Sequence, residues 1–403
     1  MLKVVVAGAG IGGLACALAC ARAGAQVQVL EQSPALREVG AGIQLGPNAV
    51  RRLADWGLLE AVKAVAGHPA RLEVRDARTQ RLLGGLALGA RARARYGADY
   101  LTIHRADLQS LLHDAALAWP SVSLHLGQGV QGFEVAEGRL RVVSAPMAEG
   151  ASTGDCAHRA ADLAVAADGV WSRLRQSLVG DGPPRRIGHI ALRTLLDAEA
   201  VPGAIARDAV TAWLGPRMHA VAYPVSAGTR FNVVIIVHEG ERLDLDDQGD
   251  RWNGLLDAAR VEAAVADVHP VLRELAHNAP EWRFWALHGR LPMQGAREMV
   301  QGRIALIGDA AHPMVPYLAQ GAVMAIEDAH ALGRAVEGLR AEDVEAALTR
   351  WADGRWPRAS RVQARSLRNG RIFHARGFVR FGRDAAMSLL GESLLDLPWL
   401  YGG

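Results

Sequence analysis

Residues 3–31 constrain the fold more than any other stretch, because they follow the pattern strand, glycine turn, helix, strand. Residues 4–7 are an apolar run typical of a buried parallel strand. Three glycines then follow in the order G-x-G-x-x-G, namely Gly8, Gly10 and Gly13. In this order the first glycine permits a sharp turn, the second lets backbone approach a pyrophosphate, and the third lets the helix pack closely on the strand. The stretch predicts a dinucleotide-binding unit with phosphate at the helix N-terminus.

Glu31 ends the second strand of this unit, where a carboxylate can accept hydrogen bonds from a ribose diol. A glutamate at this position favours the unphosphorylated ribose of FAD or NAD over NADP, whose 2′-phosphate it would repel. The alternative interpretation of the segment is a secretory signal peptide, since Lys3 precedes an apolar stretch rich in alanine and cysteine. The glycine spacing and Arg22 inside the segment argue against a signal peptide.

The overall composition is that of a chain with a large core and no membrane anchor. Of the 403 residues 50% are hydrophobic, and no apolar run reaches the ~20 residues of a membrane span. The net charge is +3, but all except Lys3 and Lys63 of the 45 basic residues are arginines, which indicates base-composition bias rather than nucleic-acid binding. The three cysteines are an odd number, which favours reduced thiols in a cytoplasmic protein over disulfides or a metal site.

A second motif follows the apolar run at residues 163–167, which is predicted to be a buried strand. It has the form D-G-x-x-S-x-L-R and begins at Asp168. The Asp-Gly pair is predicted to close the strand, and Ser172 is predicted to cap the next helix.

A third motif begins with a predicted buried strand at residues 304–307 and continues into Gly308 and Asp309. Ligands of open α/β sheets bind at the carboxyl ends of strands, which is where Asp309 would lie. Two prolines stiffen the following loop, and a long helix is predicted from Gln320 with Gly321 in its first turn. The positive end of that helix would point at the ligand that Asp309 helps to bind.

Further candidate residues lie outside these motifs. His219 and Tyr223 are four apart on a predicted strand and therefore on one face, where they could line a pocket and handle a phenolic proton. Arg37 could reach a cofactor or simply be solvated, and Gln44 could point into a cavity or bond nearby backbone. Arg105 begins a predicted helix, where it could meet phosphate or pair with an acidic neighbour.

Two arginine-rich stretches are predicted to be solvated surface rather than binding sites. Residues 89–97 are predicted to be an exposed loop with solvated arginines. Near the C-terminus a predicted helix carries a stripe of four arginines that is predicted to be a solvated face: Arg358, Arg361, Arg365 and Arg368.

Taken together, GAGIGG with Glu31, DGVWSRLR and GDAAHPMVPYLAQG resemble the group A FAD-dependent aromatic hydroxylases, which include salicylate hydroxylase, 3-hydroxybenzoate 6-hydroxylase and 6-hydroxynicotinate 3-monooxygenase. The resemblance spans nearly the whole chain. It implies an α/β fold like that of para-hydroxybenzoate hydroxylase: a Rossmann-like FAD-binding domain (residues 1–70, 98–182 and 286–345), an inserted β-sheet substrate domain (residues 71–97 and 183–285) and a C-terminal helical segment (residues 346–403).

The resemblance also implies roles for individual residues. Cofactor binding would fall to eleven of them: Gly8, Gly10, Gly13, Glu31, Arg37, Arg105, Asp168, Asp309, Pro316, Gly321 and Ala322. The substrate pocket would include Gln44, His219, Tyr223, Tyr317 and Gln320, with His219 as proton acceptor or relay and Tyr223 orienting the substrate. No metal is expected.

The implied reaction hydroxylates a small phenol or hydroxylated aromatic acid of the salicylate or 3-hydroxybenzoate type, using FAD, O₂ and transiently bound NADH or NADPH, through a flavin C4a-hydroperoxide. Nucleic acid and membrane are not expected as partners, and a homodimer is left open. Two alternatives remain: epoxidation or oxidative decarboxylation of a larger polycyclic or N-heteroaromatic substrate, and a non-catalytic flavin-binding sensor.

Overall fold

The computed structural model of the chain describes residues 1–36, 41–136, 139–147, 156–243 and 254–402. Its strands are β1 (Lys3–Ala7), β2 (Gln26–Glu31), β3 (Gly42–Leu45), β4 (Arg71–Asp76), β5 (Leu82–Ala87), β6 (Leu101–His104), β7 (Val122–Leu126), β8 (Gln128–Ala136), β9 (Arg139–Pro146), β10 (Ala157–Ala161), β11 (Leu163–Ala166), β12 (Arg185–Asp197), β13 (Ala209–Gly215), β14 (Met218–Val225), β15 (Arg230–His238), β16 (Gly254–Leu256), β17 (Trp282–Gly289), β18 (Val300–Gln301) and β19 (Ile304–Leu306).

The α-helices are α1 (Ile11–Arg22), α2 (Pro47–Asp55), α3 (Leu59–Val65), α4 (Gly89–Tyr96), α5 (Arg105–Leu117), α6 (Arg173–Val179), α7 (Ala258–Ala264), α8 (Pro270–His277), α9 (Gly321–Val336), α10 (Val344–Phe373), α11 (Gly377–Leu390), α12 (Glu392–Leu395) and α13 (Pro398–Tyr401). Within the described residues, none of these helices combines the length and the apolar character that crossing a membrane requires. The predicted α/β class with a helical C-terminal region is confirmed.

Contacts group the chain into two compact units, each built from three segments. The first unit comprises Met1–Glu38, Leu108–Arg185 and Gly289–Arg365. The second comprises Val39–Asp107, Arg186–His288 and Ser366–Gly403. The predicted division into functional domains stays a prediction, because contacts alone do not assign a function to a unit.

The first unit is organised by a six-stranded sheet of order β18-β19-β11-β1-β2-β7. From β19 to β7 all neighbours are parallel, and the register aligns Ala7 with Ala166 and with Leu30, and Ala166 with Leu306. Apart from the exposed Lys3 at the start of β1, the residues of β1, β11 and β19 are buried and apolar, as parallel strands covered on both faces require. Since the strands end level with one another, the residues that follow β1, β2, β11 and β19 meet at one edge of the sheet.

Helices α1 and α9 pack against each other through small residues. A side chain on Gly12 would contact Ala325, and one on Gly333 would overlap Ala19 at under 3 Å. Gly12 and Ala325 lie near the start of their helices and Ala19 and Gly333 lie further along, so the two helices run in parallel. Their N-termini therefore point to the same side of the unit.

The second unit is organised by an eight-stranded sheet of order β16-β17-β12-β15-β14-β13-β4-β5. One face of this sheet packs on its main apolar core, to which β14 contributes Met218, Ala220 and Ala222. Cross-strand partners share a face, so the register assigns the alternate residues of β12, β14 and β15 to the opposite face. We call this opposite side the polar face, because its members include His189, Arg193, His219, Tyr223, Asn232 and His238.

Two predictions about arginine-rich segments are wrong in part. Residues 89–96 form helix α4 rather than a loop, but its arginines are exposed as predicted. The side chains of Arg91, Arg93 and Arg95 are 42%, 61% and 46% exposed and pair with Glu392, Asp99 and Asp396 respectively. In the C-terminal stripe Arg358 is not solvated, because its guanidinium binds the buried Glu327 of α9 at 2.7 Å.

Candidate active site

The glycine turn after β1 has the geometry that its sequence predicts. Gly8 has a φ of +104°, and a Cβ there would lie 2.5 Å from the carbonyl oxygen of Ala167. A Cβ on Gly13 would lie 1.9 Å from the oxygen of Gly8, so this position fixes how closely α1 approaches the turn. A Cβ on Gly10 would meet nothing within 4 Å. The protein itself therefore does not require a glycine at position 10, and a ligand close to the backbone is the physical reason for one.

Glu31 is tied to the same turn by its carboxylate. Its Oε2 accepts a hydrogen bond from the backbone N–H of Ala9 at 2.7 Å, and its Oε1 accepts one from Ser33 at 2.8 Å. Each carboxylate oxygen has a second lone pair, so the group can also accept from a ribose diol. The backbone bonds hold the carboxylate rigidly at the carboxyl end of β2.

Asp168 follows β11 and lies beside the glycine turn. Its Oδ1 is buried without a hydrogen-bond partner, while its Oδ2 accepts from the N–H of Leu174 at 3.4 Å. Burial raises the pKa of Asp168 in spite of hydrogen bonds that favour its ionised form. Burying a carboxylate oxygen without a hydrogen-bond partner costs free energy. The Oδ1 of Asp168 therefore indicates that a bound ligand supplies the hydrogen-bond donor.

A cleft of about 450 Å³ lies within the first unit and is lined by Gly8, Gly10, Glu31, Asp168 and Trp171, among others. The N-terminus of α1 opens beside Gly10 with no side chain capping it. Unsatisfied N–H groups and the helix dipole favour a phosphate there. The open space at Gly10, the partnerless oxygen of Asp168 and the uncapped helix together fit the adenosine and pyrophosphate half of FAD.

Asp309 lies at the same edge of the sheet, at the end of β19. It is exposed in an otherwise buried stretch, inside the 3₁₀ turn Gly308–Ala310. Its Oδ1 lies 3.8 Å from the position of a Cβ on Gly321, which is the first residue of α9. The glycine turn, Asp168 and Asp309 therefore follow strands that end along one edge of the sheet in the first unit.

The loop before α9 carries Pro316, Tyr317, Gln320, Gly321 and Ala322. Tyr317 is buried in the 3₁₀ turn Pro316–Leu318, and burial raises the pKa of its hydroxyl. Pro316 is exposed, and Gly321 and Ala322 are half-buried. Gln320 is buried at the N-cap of α9, although its side chain makes no capping hydrogen bond.

His219 and Tyr223 lie on the polar face of the second unit, both fully buried on β14. Four residues along a strand span about 13 Å, so the two side chains do not meet but could contact opposite ends of one small ring. Burial, together with repulsion from His189, lowers the pKa of His219 to about 3. The imidazole is therefore neutral at physiological pH.

Tyr223 belongs to a polar trio with Gln44 and Tyr100. The hydroxyl of Tyr100 donates to the Oε1 of Gln44 at 2.7 Å, and the side chain of Gln44 also bonds the hydroxyl of Tyr223. Burial raises the pKa of both tyrosines, so both keep their protons. Tyr100 was not singled out from the sequence. Its only signal there was its position as the first residue of a predicted strand at residues 100–104, since its contact with Gln44 spans 56 positions.

Two more groups on this side of the sheet were not singled out from the sequence. His374 contacts His219 through Nε2 and Nδ1 at 2.8 Å, although the two residues are 155 positions apart. Arg193 is 6% exposed, and its guanidinium lies 4.7 Å from the ring centre of Trp285. Burial and repulsion from Arg105 and Arg283 lower the pKa of Arg193 to about 10, so it remains a cation.

The two remaining predicted arginines are less informative. Arg105 begins α5, and its backbone N–H donates to the oxygen of Ala41 at 2.9 Å. The positive charge of Arg105 contributes to the lowered pKa of Arg193, which belongs to the same unit. Arg37 lies outside the described residues.

The arrangement defines a dinucleotide-binding α/β protein with a second unit that carries a buried polar face. A family model described as "FAD binding domain" matches residues 1–366. The chain belongs to this family.

Relatives give the class of reaction. The chain is 35% identical to 3-hydroxybenzoate 6-hydroxylase 1 of Aquipseudomonas alcaligenes, over 99% of this chain and 97% of the relative. It is 35% identical to 6-hydroxynicotinate 3-monooxygenase of Bordetella bronchiseptica, over 90% of this chain and 89% of the relative. A solved salicylate hydroxylase substrate complex matches with a TM-score of 0.80 and 25% identity, covering 100% of this chain and 95% of that one. The protein is an FAD-dependent aromatic monooxygenase, as the sequence motifs predict.

Proposed function

We propose that the protein hydroxylates a small hydroxylated aromatic acid of the 3-hydroxybenzoate or salicylate type, with O₂ as oxidant and NADH or NADPH as electron donor. FAD, when bound, supplies the redox chemistry that activates O₂. The names of the relatives support this substrate class, since they act on 3-hydroxybenzoate and 6-hydroxynicotinate. The residues of this chain bind the ring, orient its hydroxyl and carboxylate, and move a proton.

The main structural support for this proposal is the set of groups on the polar face of the second unit. Across the sheet, Arg193 is in register with Val234, and Val234 with Val221, which lies midway between His219 and Tyr223 on β14. Cross-strand partners share a face, so a buried cation, a neutral imidazole and a tyrosine hydroxyl all point to one side. These are the groups that a hydroxylated aromatic carboxylate requires in an otherwise apolar environment.

We assign Arg193 to the substrate carboxylate. A guanidinium in a dry site binds a carboxylate strongly, because the pair is short, charge-assisted and poorly screened. The ring of Trp285 packs against Arg193 and limits its orientation. An uncharged phenol would gain nothing from this cation, so Arg193 accounts for the preference for an acid.

We assign His219 to the substrate hydroxyl. A pKa of about 3 makes His219 a weak base in the resting protein, so its role is to accept a hydrogen bond and relay the phenolic proton rather than to hold it. His374 contacts the Nδ1 of His219 and is the next group along the relay. Tyr223, held by Gln44, orients the opposite end of the ring.

For the cofactor, we propose that the first unit binds FAD at the edge described above. Gly8, Gly10 and Gly13 would shape the pyrophosphate turn. Three acidic residues would complete the site, with Glu31 on the adenosine ribose, Asp168 near the pyrophosphate and Asp309 on the ribityl chain. The rest of the proposed set is Arg37, Arg105, Pro316, Gly321 and Ala322 on the cofactor, and Tyr317 and Gln320 toward the substrate.

The proposal predicts that FAD-loaded protein consumes NADH or NADPH faster when a suitable hydroxylated aromatic acid is present. Nicotinamide oxidation is followed spectrophotometrically with 3-hydroxybenzoate, salicylate, 4-hydroxybenzoate and 6-hydroxynicotinate, and products are identified by mass. The expected product is the substrate with one added oxygen. Where the carbon attacked carries the carboxyl group, as in salicylate or at carbon 3 of 6-hydroxynicotinate, hydroxyl replaces that group, which leaves as CO₂. Benzoate, which lacks the hydroxyl, serves as the matched control. Stimulation by none of the acids would overturn the proposal, and product from 6-hydroxynicotinate alone would move the substrate to the N-heteroaromatic class.

Variants of the polar face test the assigned roles in the same assay. His219→Gln should uncouple the reaction, so that NADH is consumed while product formation falls by about 10²-fold. Arg193→Gln should raise the KM for 3-hydroxybenzoate but not for 3-hydroxybenzamide, which has no charge to bind. Arg340→Gln, at an exposed surface pair, is the control. Unchanged coupling in a folded His219→Gln protein would contradict the assignment.

We also propose a cytoplasmic protein that can form a homodimer. The buried thiols of Cys16 and Cys20 lie 3.9 Å apart on α1 as free cysteines, which suits a reducing compartment. Light scattering on the purified FAD-bound protein gives the oligomeric state directly.

A further inference from the structure

Three histidines gather at one end of the polar face. His189 on β12 and His238 on β15 are direct cross-strand partners, and their Nε2 atoms lie 3.0 Å apart. His374 follows the end of α10, and its ring centre lies 4.9 Å from that of His189 and 5.0 Å from that of His238. We call His189, His238 and His374 the histidine cluster.

One ring nitrogen from each member lies within 4.8 Å of those of the other two. Zn²⁺ binds imidazole nitrogen at about 2.0–2.1 Å, so two nitrogens of a tetrahedral site stand roughly 3.3 Å apart. The pair formed by His189 and His238 already has nearly this spacing. A shift of ~1.5 Å in the third ring closes the site, which is within the reach of side-chain rotation.

We propose that the histidine cluster binds a divalent transition-metal ion of the Zn²⁺ type, with three imidazole ligands and water in the fourth position. Nitrogen-only sites of this kind suit Zn²⁺, Cu²⁺ and Ni²⁺ rather than Mg²⁺ or Ca²⁺. The sequence predicted no metal site, because its ligands come from three distant segments with no motif spacing. Of the three residues only His374 also has a role in the proposed hydroxylation, as the group that follows His219 along the proton relay. The test therefore uses variants of His189 and His238, which have no role in that reaction.

The surroundings of the histidine cluster allow its imidazoles to coordinate an ion. The neutral imidazole is the form that binds a metal, and its second ring nitrogen stays available for an outer partner. The side chains of His189 and His238 are only half-buried, which leaves an entry route for the ion. The contact between His374 and His219 fixes the ring plane of His374, as an outer-shell partner does for a metal ligand.

Positive charge near the cluster opposes a cation and sets a limit on affinity. Arg217, Arg376 and Arg242 all act on His238. Arg217 is paired with Glu241 and Arg242 with Asp267, so two of these three cations have an acidic partner. Three coordinate bonds remain the larger contribution, because direct coordination outweighs screened repulsion at the protein surface.

A bound ion would connect the end of α10 to the sheet of the second unit. His374 lies just beyond Phe373, the last residue of α10, whereas His189 and His238 belong to β12 and β15. The expected consequence is a higher unfolding temperature for the metal-loaded protein.

The test uses untagged, FAD-bound full-length protein that has been treated with chelator and dialysed. Titration with Zn²⁺ is followed by calorimetry, and Co²⁺ is added separately for its visible absorption. Wild-type protein should bind one Zn²⁺ per chain and melt at a higher temperature with metal. His189→Gln and His238→Gln should each weaken Zn²⁺ binding by at least about 100-fold, more than the loss of an outer-shell partner costs. The control is His277→Gln, an exposed histidine paired with Glu262.

Melting curves without metal establish that each variant is folded. As a measurement independent of any variant, X-ray absorption of the Zn²⁺-loaded wild type should show three imidazole nitrogens. The proposal is overturned if the wild type binds no Zn²⁺, if both folded glutamine variants bind it as the wild type does, or if the absorption spectrum shows sulfur or fewer than three imidazoles.

Discussion

Ala319 carries a backbone conformation that its side chain disfavours. It ends the 3₁₀ turn Pro316–Leu318 with φ 52° and ψ 37°, in the left-handed region. A Cβ in this region costs roughly 1–2 kcal/mol, which a glycine avoids. Part of this gain is offset, because glycine loses more freedom on folding. We predict that Ala319→Gly raises the free energy of unfolding by about 0.5–1 kcal/mol in denaturant titrations of the FAD-bound protein.

The matched control for Ala319 is Ala346, an exposed residue of α10. There the backbone is helical, so Ala346→Gly should lower the free energy of unfolding by about 1 kcal/mol. The two alanine-to-glycine changes are therefore expected to have opposite signs. A loss of stability in both would show that position 319 is not strained.

At the residue scale, the sequence predicted positions whose role is local. Gly13 and Glu31 act within one continuous stretch, since they meet Gly8 and Ala9 of the same turn. Gly8 is needed there for its positive φ, although its closest contact is the distant Ala167. His374 and Tyr100 could not be found in this way, because their partners are 155 and 56 positions away. No periodicity links such pairs; only the folded sheet brings them together.

At the level of elements, Asp328 joins α9, α10 and the loop that carries Asp309. Its Oδ2 accepts from the backbone N–H of Gly308 at 3.0 Å and contacts the Nε2 of His312 at 2.5 Å. Its Oδ1 accepts two bonds from Arg355 of α10 at 3.0 and 2.9 Å. Burial alone would raise the pKa of Asp328, but His312 and Arg355 outweigh it and lower that pKa. The carboxylate therefore stays ionised inside the protein.

We predict that Asp328→Asn lowers the free energy of unfolding by about 3–5 kcal/mol, since removing one partner of a buried ion pair leaves the other charge uncompensated. The loop at Gly308 also loses its anchor, so FAD affinity should fall, as measured by fluorescence titration. Glu342→Gln breaks an exposed pair with Arg340 and should change stability by less than about 1 kcal/mol. Equal effects of the two changes would contradict the role given to Asp328.

Helices and strands with strong local patterns were predicted well. The helix predicted to begin at Arg105 is α5, and the strands predicted at residues 163–167 and 304–307 agree with β11 and β19 to within one residue. Helix α4 was missed because Gly89 and alternating arginines favour a loop, whereas Glu392, Asp99 and Asp396 neutralise those arginines in the folded protein. Arg358 was misassigned for the same reason, since its partner Glu327 belongs to another helix.

In the whole molecule, segments that are far apart in the sequence combine to form the sheet of the first unit. The six-stranded sheet takes β1, β2, β7 and β11 from the first 185 residues but β18 and β19 from beyond residue 289. The proposed FAD site is divided in the same way: Gly8, Glu31 and Asp168 come early, and Asp309 comes late. The dinucleotide-binding stretch can thus be recognised from residues 3–31 alone, but these residues do not form the whole sheet or the whole proposed FAD site.

We therefore predict that a fragment of residues 1–185 does not form a stable FAD-binding unit. Without β19 the edge of β11 loses its parallel partner, and without α9 the small-residue face of α1 around Gly12 and Ala19 is left uncovered. Ten of the twelve residues of α1 are buried in the full chain, so this exposure is strongly unfavourable. In denaturant titrations the full chain should unfold cooperatively and gain about 2.7 kcal/mol at an FAD concentration of 100 Kd. The fragment should show neither a cooperative transition nor this gain, and an FAD affinity within about tenfold of the full chain would mean that the early segments suffice by themselves.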